Sequence, residues 1–399
     1  MPSALFVHDT WYATSPEGEF YAYGAFPYSL WQTRFLPHFE RLHVIGRYTG
    51  FDEQARNLDR ADGHNVTFTL LPNINAPLKR ILQSRSIYRR IAAEVEKVDA
   101  VIVRGPAEFG MMAARAARRA RKPVAVEMSG CAFDHTWYHG SIVGKLYAPI
   151  KYLRCRHMVK RADQVIYVTQ NFLQTRYPTL GAADTASNVE IAPPERGVLQ
   201  QRLKRIDQRE DMLVFGMIGN LGNHLKGFDI ALQALSEARD VLPPFSMRVL
   251  GQGDWQDWAD IIQLYGLEER IALCGTVPGG SQVSAWLDDL DIYLHPSRHE
   301  GLPRAVIEAM SRGLPVLASD AGGTDELLDA QLIHRRGDAQ TLARQLVTLA
   351  DGHKLQKKAA KDNFDRAQYY TYEKLQPVRD RFWARFAGLA SGKDEQQSR

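Results

Sequence analysis

Two successive series of short β-rich runs, each alternating with longer helical patterns, dominate the chain. In the first series strands are predicted at 4–8, 42–45, 66–70, 100–103, 124–127, 164–168 and 189–192. Helical periodicity fills the intervals around 78–97, 107–121 and 145–162. The series halts at Pro193-Pro194, and a polar stretch runs on to Asp211. A second series opens at 213–219 and continues with strands at 247–250, 271–274, 292–295, 315–318 and 332–334. Its helices are expected at 227–238, 255–265, 281–289, 303–313, 324–329 and 338–350, with two more over 352–390. Strands joined through helices run parallel, and parallel sheets are covered on both faces.

A chain of 399 residues is long for one core, at about 150 residues per domain. The fold class is therefore α/β, with two doubly wound, Rossmann-like parallel-sheet domains facing a central cleft. The expected bounds are 1–200 and 201–372. Ligands in such sheets bind at the carboxyl ends of the strands, which places the site in the cleft. With 45% hydrophobic and 24% charged residues, the composition excludes disordered and collagen-like chains. The chain has no apolar run long enough to span a bilayer as a helix, and its first residues lack a signal-peptide pattern. Three dispersed cysteines, Cys131, Cys155 and Cys274, argue against a disulfide framework and fit a reducing cytoplasm.

The most informative stretch is His295-Pro296-Ser297-Arg298-His299-Glu300-Gly301-Leu302-Pro303-Arg304-Ala305-Val306-Ile307-Glu308. A strand ends near His295, a loop delivers Glu300, and Pro303 suits the first position of a helix. The free amides and positive dipole end of that helix favour phosphate. Two carboxylates beside an anion site are reconciled by a ligand with hydroxyls at both ends and phosphate in the middle. A nucleotide sugar has that form, since carboxylates accept strong hydrogen bonds from hydroxyls.

These residues resemble the retaining family-4 glycosyltransferases of the GT-B fold, whose Glu-x7-Glu motif is matched by Glu300 and Glu308. The run Ser311-Arg312-Gly313-Leu314-Pro315-Val316-Leu317-Ala318-Ser319-Asp320-Ala321-Gly322-Gly323-Thr324 is also similar to the family. The resemblance implies that Glu300 holds the donor sugar and Glu308 the ribose. The backbone of Gly301, Leu302 and Pro303 would then hold the diphosphate. Gly219-Asn220-Leu221-Gly222-Asn223-His224-Leu225-Lys226-Gly227 looks like the second donor element of the family. Lys226 would be the cation for the leaving phosphate, and Asn220 replaces the family's Arg, so Arg298 or Arg304 could share that task. The implied donor is a UDP- or GDP-hexose, with no other cofactor. The resemblance further implies that the tail helix, within 373–399, packs back on the first domain. The segments Phe26-Pro27-Tyr28 and Trp137-Tyr138-His139-Gly140 look like those of a subgroup that builds capsules and exopolysaccharides.

Other motifs are weaker. Gly251-Gln252-Gly253 lacks the rest of a dinucleotide fingerprint and reads as a tight turn. No P-loop occurs, and Asp289-Leu290-Asp291 reads as a cap before a strand rather than a metal site, so no metal is expected. Many family members carry a His after the strand at 124–127. Here Glu127-Met128-Ser129-Gly130 stands in that place, leaving Glu127, His135 and His139 as candidates to assist catalysis. Gly24, Arg104, His135 and His139 are the candidate acceptor residues.

Charge is unevenly placed. Residues 1–200 carry 25 Lys and Arg against 18 Asp and Glu, and residues 201–399 carry 25 against 28. Between positions 79 and 161 the count is 18 against 6. The basic segments 115–122 and 151–161 suggest peripheral attachment to the inner face of the cytoplasmic membrane. That would suit a polyprenyl-diphosphate-linked acceptor as well as a plain saccharide. Nucleic acid fits less well, because no binding module accompanies the charge. An epimerase or phosphorylase on the same fold, or a non-catalytic nucleotide-sugar-binding partner of another transferase, stays open at this point.

Overall fold

The computed structural model describes residues 1–23, 26–51, 58–74, 77–189, 191–209, 212–253 and 256–392. Its first sheet contains β1 (Ser3–Thr14), β2 (Phe20–Ala22), β3 (Arg41–Phe51), β4 (Asp59–Arg60), β5 (Val66–Leu71), β6 (Ala100–Gly105), β7 (Val124–Met128), β8 (Gln164–Tyr167) and β9 (Ala182–Thr185). Seven strands run parallel in the order β5-β3-β1-β6-β7-β8-β9, and β2 and β4 join antiparallel beyond the carboxyl half of β1. β1 is longer than its apolar run. Ala4–Val7 pair with β6, and Tyr12–Thr14 with β2.

The second sheet is wholly parallel. Its strands are β10 (Leu213–Ile218), β11 (Phe245–Leu250), β12 (Ile271–Leu273), β13 (Ile292–His295), β14 (Val316–Ser319) and β15 (Ile333–His334), in the order β12-β11-β10-β13-β14-β15. The period of two along β10 sends Leu213, Phe215 and Met217 into one apolar layer and Val214 into the other. Gly216 is required on that second face, where a Cβ would lie 2.1 Å from Leu290 Cδ1. Helices Phe228–Ala238 and Ala339–Asp351 cover the first layer. The latter is started by Asp338, whose carboxylate accepts from the Thr341 N–H (2.9 Å).

Three sequence expectations fail here. In the stretch expected as a strand at 189–192, the described residues 189, 191 and 192 belong to no strand, and Ile191 makes an isolated bridge to Thr371. The polar stretch before 211 contains a helix, Arg196–Gln208. Its few apolar side chains hid it, because it docks largely through the buried Arg202, which donates to the carbonyls of Leu287 and Asp288 (both 3.2 Å). Residues 324–329 hold only a 3-10 turn, Thr324–Glu326.

The last helix, Tyr372–Ala390, lies on the first domain. Trp383 packs on Phe35 (4.8 Å between centroids), Phe386 on Phe39 (6.2 Å), and Arg385 donates to Gln164 Oε1 (3.1 Å). One apolar cluster consequently runs from the first sheet through this helix to the inner layer of the second domain.

Candidate functional site

β10 and β13 lie side by side at the centre of the second sheet, with β11 beyond one and β14 beyond the other. The connections diverge there, and a crevice opens at their carboxyl ends. Two loops meet in it, 219–227 and 296–303. In the first, Asn220 Oδ1 accepts from the Gly222 N–H (2.7 Å), and Asn223 Oδ1 accepts from the Leu225 N–H (3.0 Å) to begin the 3-10 turn His224–Lys226. Gly227 follows at φ +72°, where a Cβ would stand 2.0 Å from the Pro296 carbonyl oxygen. Gly219 leaves room for the Lys226 stem, which a Cβ would meet at 2.9 Å.

Arg298 stitches the second loop to the first. Its backbone N–H donates to the Leu225 carbonyl (2.7 Å), and its guanidinium to the His224 carbonyl (2.6 Å) and to both Asp229 oxygens (2.7 and 2.6 Å). The sequence reading offered Arg298 as a phosphate-holding cation. The bidentate pair with Asp229 instead makes it a loop brace. Arg304 is exposed and forms no ion pair with a described residue.

Glu300 is buried where the loops touch. Lys226 Nζ lies 2.6 Å from its Oε1, and His295 Nε2 donates to the same oxygen at 3.0 Å. Burial alone would raise this carboxyl. The Lys226 ammonium and the His295 bond more than offset it and hold Glu300 well below the usual carboxylate range. No described residue engages its Oε2. Gly301 and Leu302 lead to the helix Arg304–Ser311, for which Pro303 is the extended cap (φ −71°, ψ 105°) rather than the first helical residue. Its carbonyl accepts from the Ile307 N–H (3.3 Å), and the first-turn amides are left without intrahelical partners. Glu308 lies one turn in, half-buried, and no described side chain donates to its carboxylate. Burial raises its pKa, with Arg304 opposing.

The facing lobe contributes the ends of β6 and β7. Arg104 and Glu127 form an ion pair (2.9 Å), Arg34 adds a second (3.2 Å), and the Arg104 guanidinium covers the Phe26 ring at 4.9 Å. Asn188, with its amide turned to satisfy both groups, accepts from Arg104 (2.8 Å) and donates to Glu127 (2.9 Å). Burial would raise the Glu127 carboxyl, but Arg104, Arg34 and Arg379 hold it below the ordinary value. Glu127, a sequence candidate to assist catalysis, is thus a carboxylate clamped by two guanidiniums, a setting that makes it a weak proton acceptor. The pair holds the Arg104 guanidinium in place over Phe26. His135 lies 5.2 Å from His299 and 6.1 Å from His139 between ring centroids. Burial is the first cause that lowers His135 to about 3 and His299 to about 4, so both are neutral imidazoles near pH 7. His139 is exposed at the end of this row. Gly24 lies outside the described residues.

Several participants escaped the sequence reading. His295 and His299 were visible only as neighbours of Glu300, and the inward phase of β13 was the available signal for His295. Contacts between lobes were not foreseeable from spacing. Arg336 pairs with the buried Asp134 (3.1 Å), and Glu326 accepts from the backbone N–H groups of Gln170, Asn171 and Phe172 (2.6, 2.9 and 2.9 Å). Gly301 abuts the other lobe so closely that a Cβ would stand 2.0 Å from the Ser129 carbonyl oxygen. Asp291, in the stretch read as a cap, accepts from the Val214 N–H (2.8 Å) and pairs with Arg205 (2.8 Å). The turn at Gly251 braces the donor-side loop, since a Cβ there would lie 1.7 Å from the Gly219 carbonyl oxygen.

The family described as Glycosyl transferases group 1 matches residues 213–351. Protein CapJ of Staphylococcus aureus is 27% identical over 379 residues, covering 94% of each chain. The putative colanic acid biosynthesis glycosyltransferase WcaL of Escherichia coli is 33% identical over 135 residues, 31% of this chain and 33% of that protein. Among solved structures, Anabaena HepE in complex with UDP-glucose superposes with a TM-score of 0.62 at 18% identity, covering 98% of this chain and 100% of HepE. At that identity the likeness speaks for the fold. The second lobe, with its two loops meeting at the switch point, thus matches a glycosyltransferase group 1 domain over residues 213–351, and the two lobes together have the GT-B fold.

Proposed function

We propose that this chain is a retaining glycosyltransferase that moves a hexose from a UDP- or GDP-sugar to a saccharide acceptor in surface-polysaccharide assembly. The observation that carries the reading is the pairing of a strongly ionised Glu300 with a desolvated Glu308, to which no described side chain donates, across an open helix start. Glu300 Oε2 would accept from sugar hydroxyls while Lys226 and His295 keep the group ionised and aimed. Glu308 would accept from the ribose hydroxyls, where new hydrogen bonds compensate its desolvation. The diphosphate would lie between them, against the first-turn amides, Lys226 and Arg304. The likeness to WcaL, a putative colanic acid biosynthesis glycosyltransferase, supports the pathway, and the likeness to HepE, which binds UDP-glucose, supports the donor class.

In the reaction the bond from the anomeric carbon to the phosphate oxygen breaks as the acceptor oxygen bonds on the same face. The acceptor proton passes to the departing phosphate, so no separate protein base is required. Negative charge grows on the diphosphate, and Lys226 with the helix amides is placed to stabilise it. His135 and His139, from the other side of the cleft, would orient acceptor hydroxyls together with His299 of the donor-side loop, and His135 and His299 are neutral near pH 7.

Thermal shift against a panel of nucleoside diphosphates and nucleotide sugars tests the donor. Transfer measured with a lipid-linked or free saccharide tests the reaction. A selective rise with one base, and loss of transfer by at least about 100-fold in Glu300→Ala with the fold retained, is expected. Donor consumption without acceptor would point to an epimerase instead, and transfer undiminished in Glu300→Ala would refute the assignment.

A further inference from the structure

The helix Ile142–Lys160 buries Ala148, Lys151, Cys155, Met158 and Val159 against the first domain. Its opposite face carries Ile142, Leu146, Ile150 and Leu153, which are 78%, 74%, 53% and 63% exposed. Their spacing at i, i+4, i+8 and i+11 aligns them in one stripe. A continuous apolar stripe on a solvent-facing helix implies something that covers it.

What covers it is indicated by the neighbouring charge. At Leu153 the stripe runs into a groove of about 1200 Å³ between this helix and the helices Pro77–Glu96 and Glu108–Arg119. Seven arginines line that groove, among them Arg85, Arg89, Arg115 and Arg118, and no carboxylate does. Of the seven, only Arg154 is ion-paired to a described carboxylate, Glu108 at 3.0 Å. Burial first, and then the nearby Arg161, lower Arg118, with Asp163 opposing. Apolar side chains beside uncompensated cations match the acyl boundary and headgroup layer of an anionic bilayer.

We infer that the helix Ile142–Lys160 docks in the surface of an anionic membrane, its apolar stripe inserted and the adjoining arginine groove seated on lipid phosphates. The inference is independent of the donor assignment. The stripe begins three residues after His139, at the outer end of the imidazole row that leads to His299 beside Glu300. The half-exposed Trp137 stacks on Phe133 there, and Lys145 approaches its ring to 5.9 Å. Docking would therefore set the mouth of the cleft at the membrane surface, within reach of an acceptor held there by a lipid.

Flotation of the full chain with vesicles of phosphatidylcholine, alone or mixed with phosphatidylglycerol, tests this. Binding is expected only to the anionic mixture and should weaken with salt. The triple variant R85E/R89E/R115E should bind on the order of 100-fold more weakly, at about fivefold per cation removed, before any repulsion by the new carboxylates. L146E/I150E should also lose binding, with circular dichroism and Tm unchanged in both variants. Absence of binding to anionic vesicles, or binding unaffected by either variant, would overturn the inference. So would a dimer in light scattering that L146E/I150E dissociates, or preferential capture by RNA.

Discussion

The two site carboxylates differ in electrostatic setting, and that difference is testable. Glu300 is held well below the carboxylate range, so it is the later of the two to take up a proton on acidification. Glu308 is raised by burial, so it gains its proton first on acidification. A protonated Glu308 loses the charge that strengthens the hydrogen bonds it accepts, and one of its oxygens becomes a donor, so donor affinity should fall as pH drops toward the upper edge of the carboxyl range. Isothermal titration with the preferred nucleotide sugar should show this acid limb. Glu308→Gln should bind about tenfold more weakly near pH 7, through loss of a charge-assisted bond, yet vary little with pH. An acid limb that persists in Glu308→Gln would assign it to another group, and the low imidazoles of His135 and His299 would be next to test.

At the scale of elements, the ends of β6 and β7 are held by charge rather than by apolar packing. Glu127 sits between Arg34 and Arg104 with Asn188 closing the set. Removing one member of a buried set leaves the others uncompensated, at a cost of about 3 kcal/mol or more. Glu127→Ala should therefore lower stability to denaturant by about that amount, and R104A/E127A should recover part of it. A Glu127→Ala protein as stable as the parent would show that water enters the site. Such networks were the least legible part of the sequence. Strands β6, β7, β10, β11 and β13 were readable because buried parallel strands are short apolar runs. The helix starting at Arg304 was readable from its proline and flanking carboxylates. The helix Arg196–Gln208 was not, since a buried arginine and not an apolar stripe docks it. Short edge strands such as β4 and β9, with the sequences DR and AADT, have no periodicity to detect. Glu300 and Lys226 could be proposed from spacing and resemblance. Their 2.6 Å contact, and the diversion of Arg298 to Asp229, depend on how two loops 70 residues apart cross.

At the scale of the whole molecule, the lobes are set against each other by backbone. The donor-side loop reaches the other lobe at Gly301, where a Cβ would lie 2.0 Å from the Ser129 carbonyl oxygen. A methyl group there can be accommodated only if the lobes separate or the loop shifts. The latches at Arg336–Asp134 and at Glu326, which receives three amides of the first domain, resist separation without preventing it. Gly301→Ala should consequently leave each lobe folded and nucleoside-diphosphate binding largely intact while holding the cleft ajar. A displacement of about 1 Å between donor and acceptor sides can cost on the order of 100-fold in rate. The expected result is a fall in kcat of about 10- to 100-fold, a nucleotide thermal shift near that of the parent, and a larger radius of gyration in solution scattering. Gly279→Ala is the matched control, because its added Cβ would meet nothing within 4 Å. Equal activity in the two variants would mean that the lobes need not meet at this point, and the chemistry would then have to be completed by donor-side groups alone.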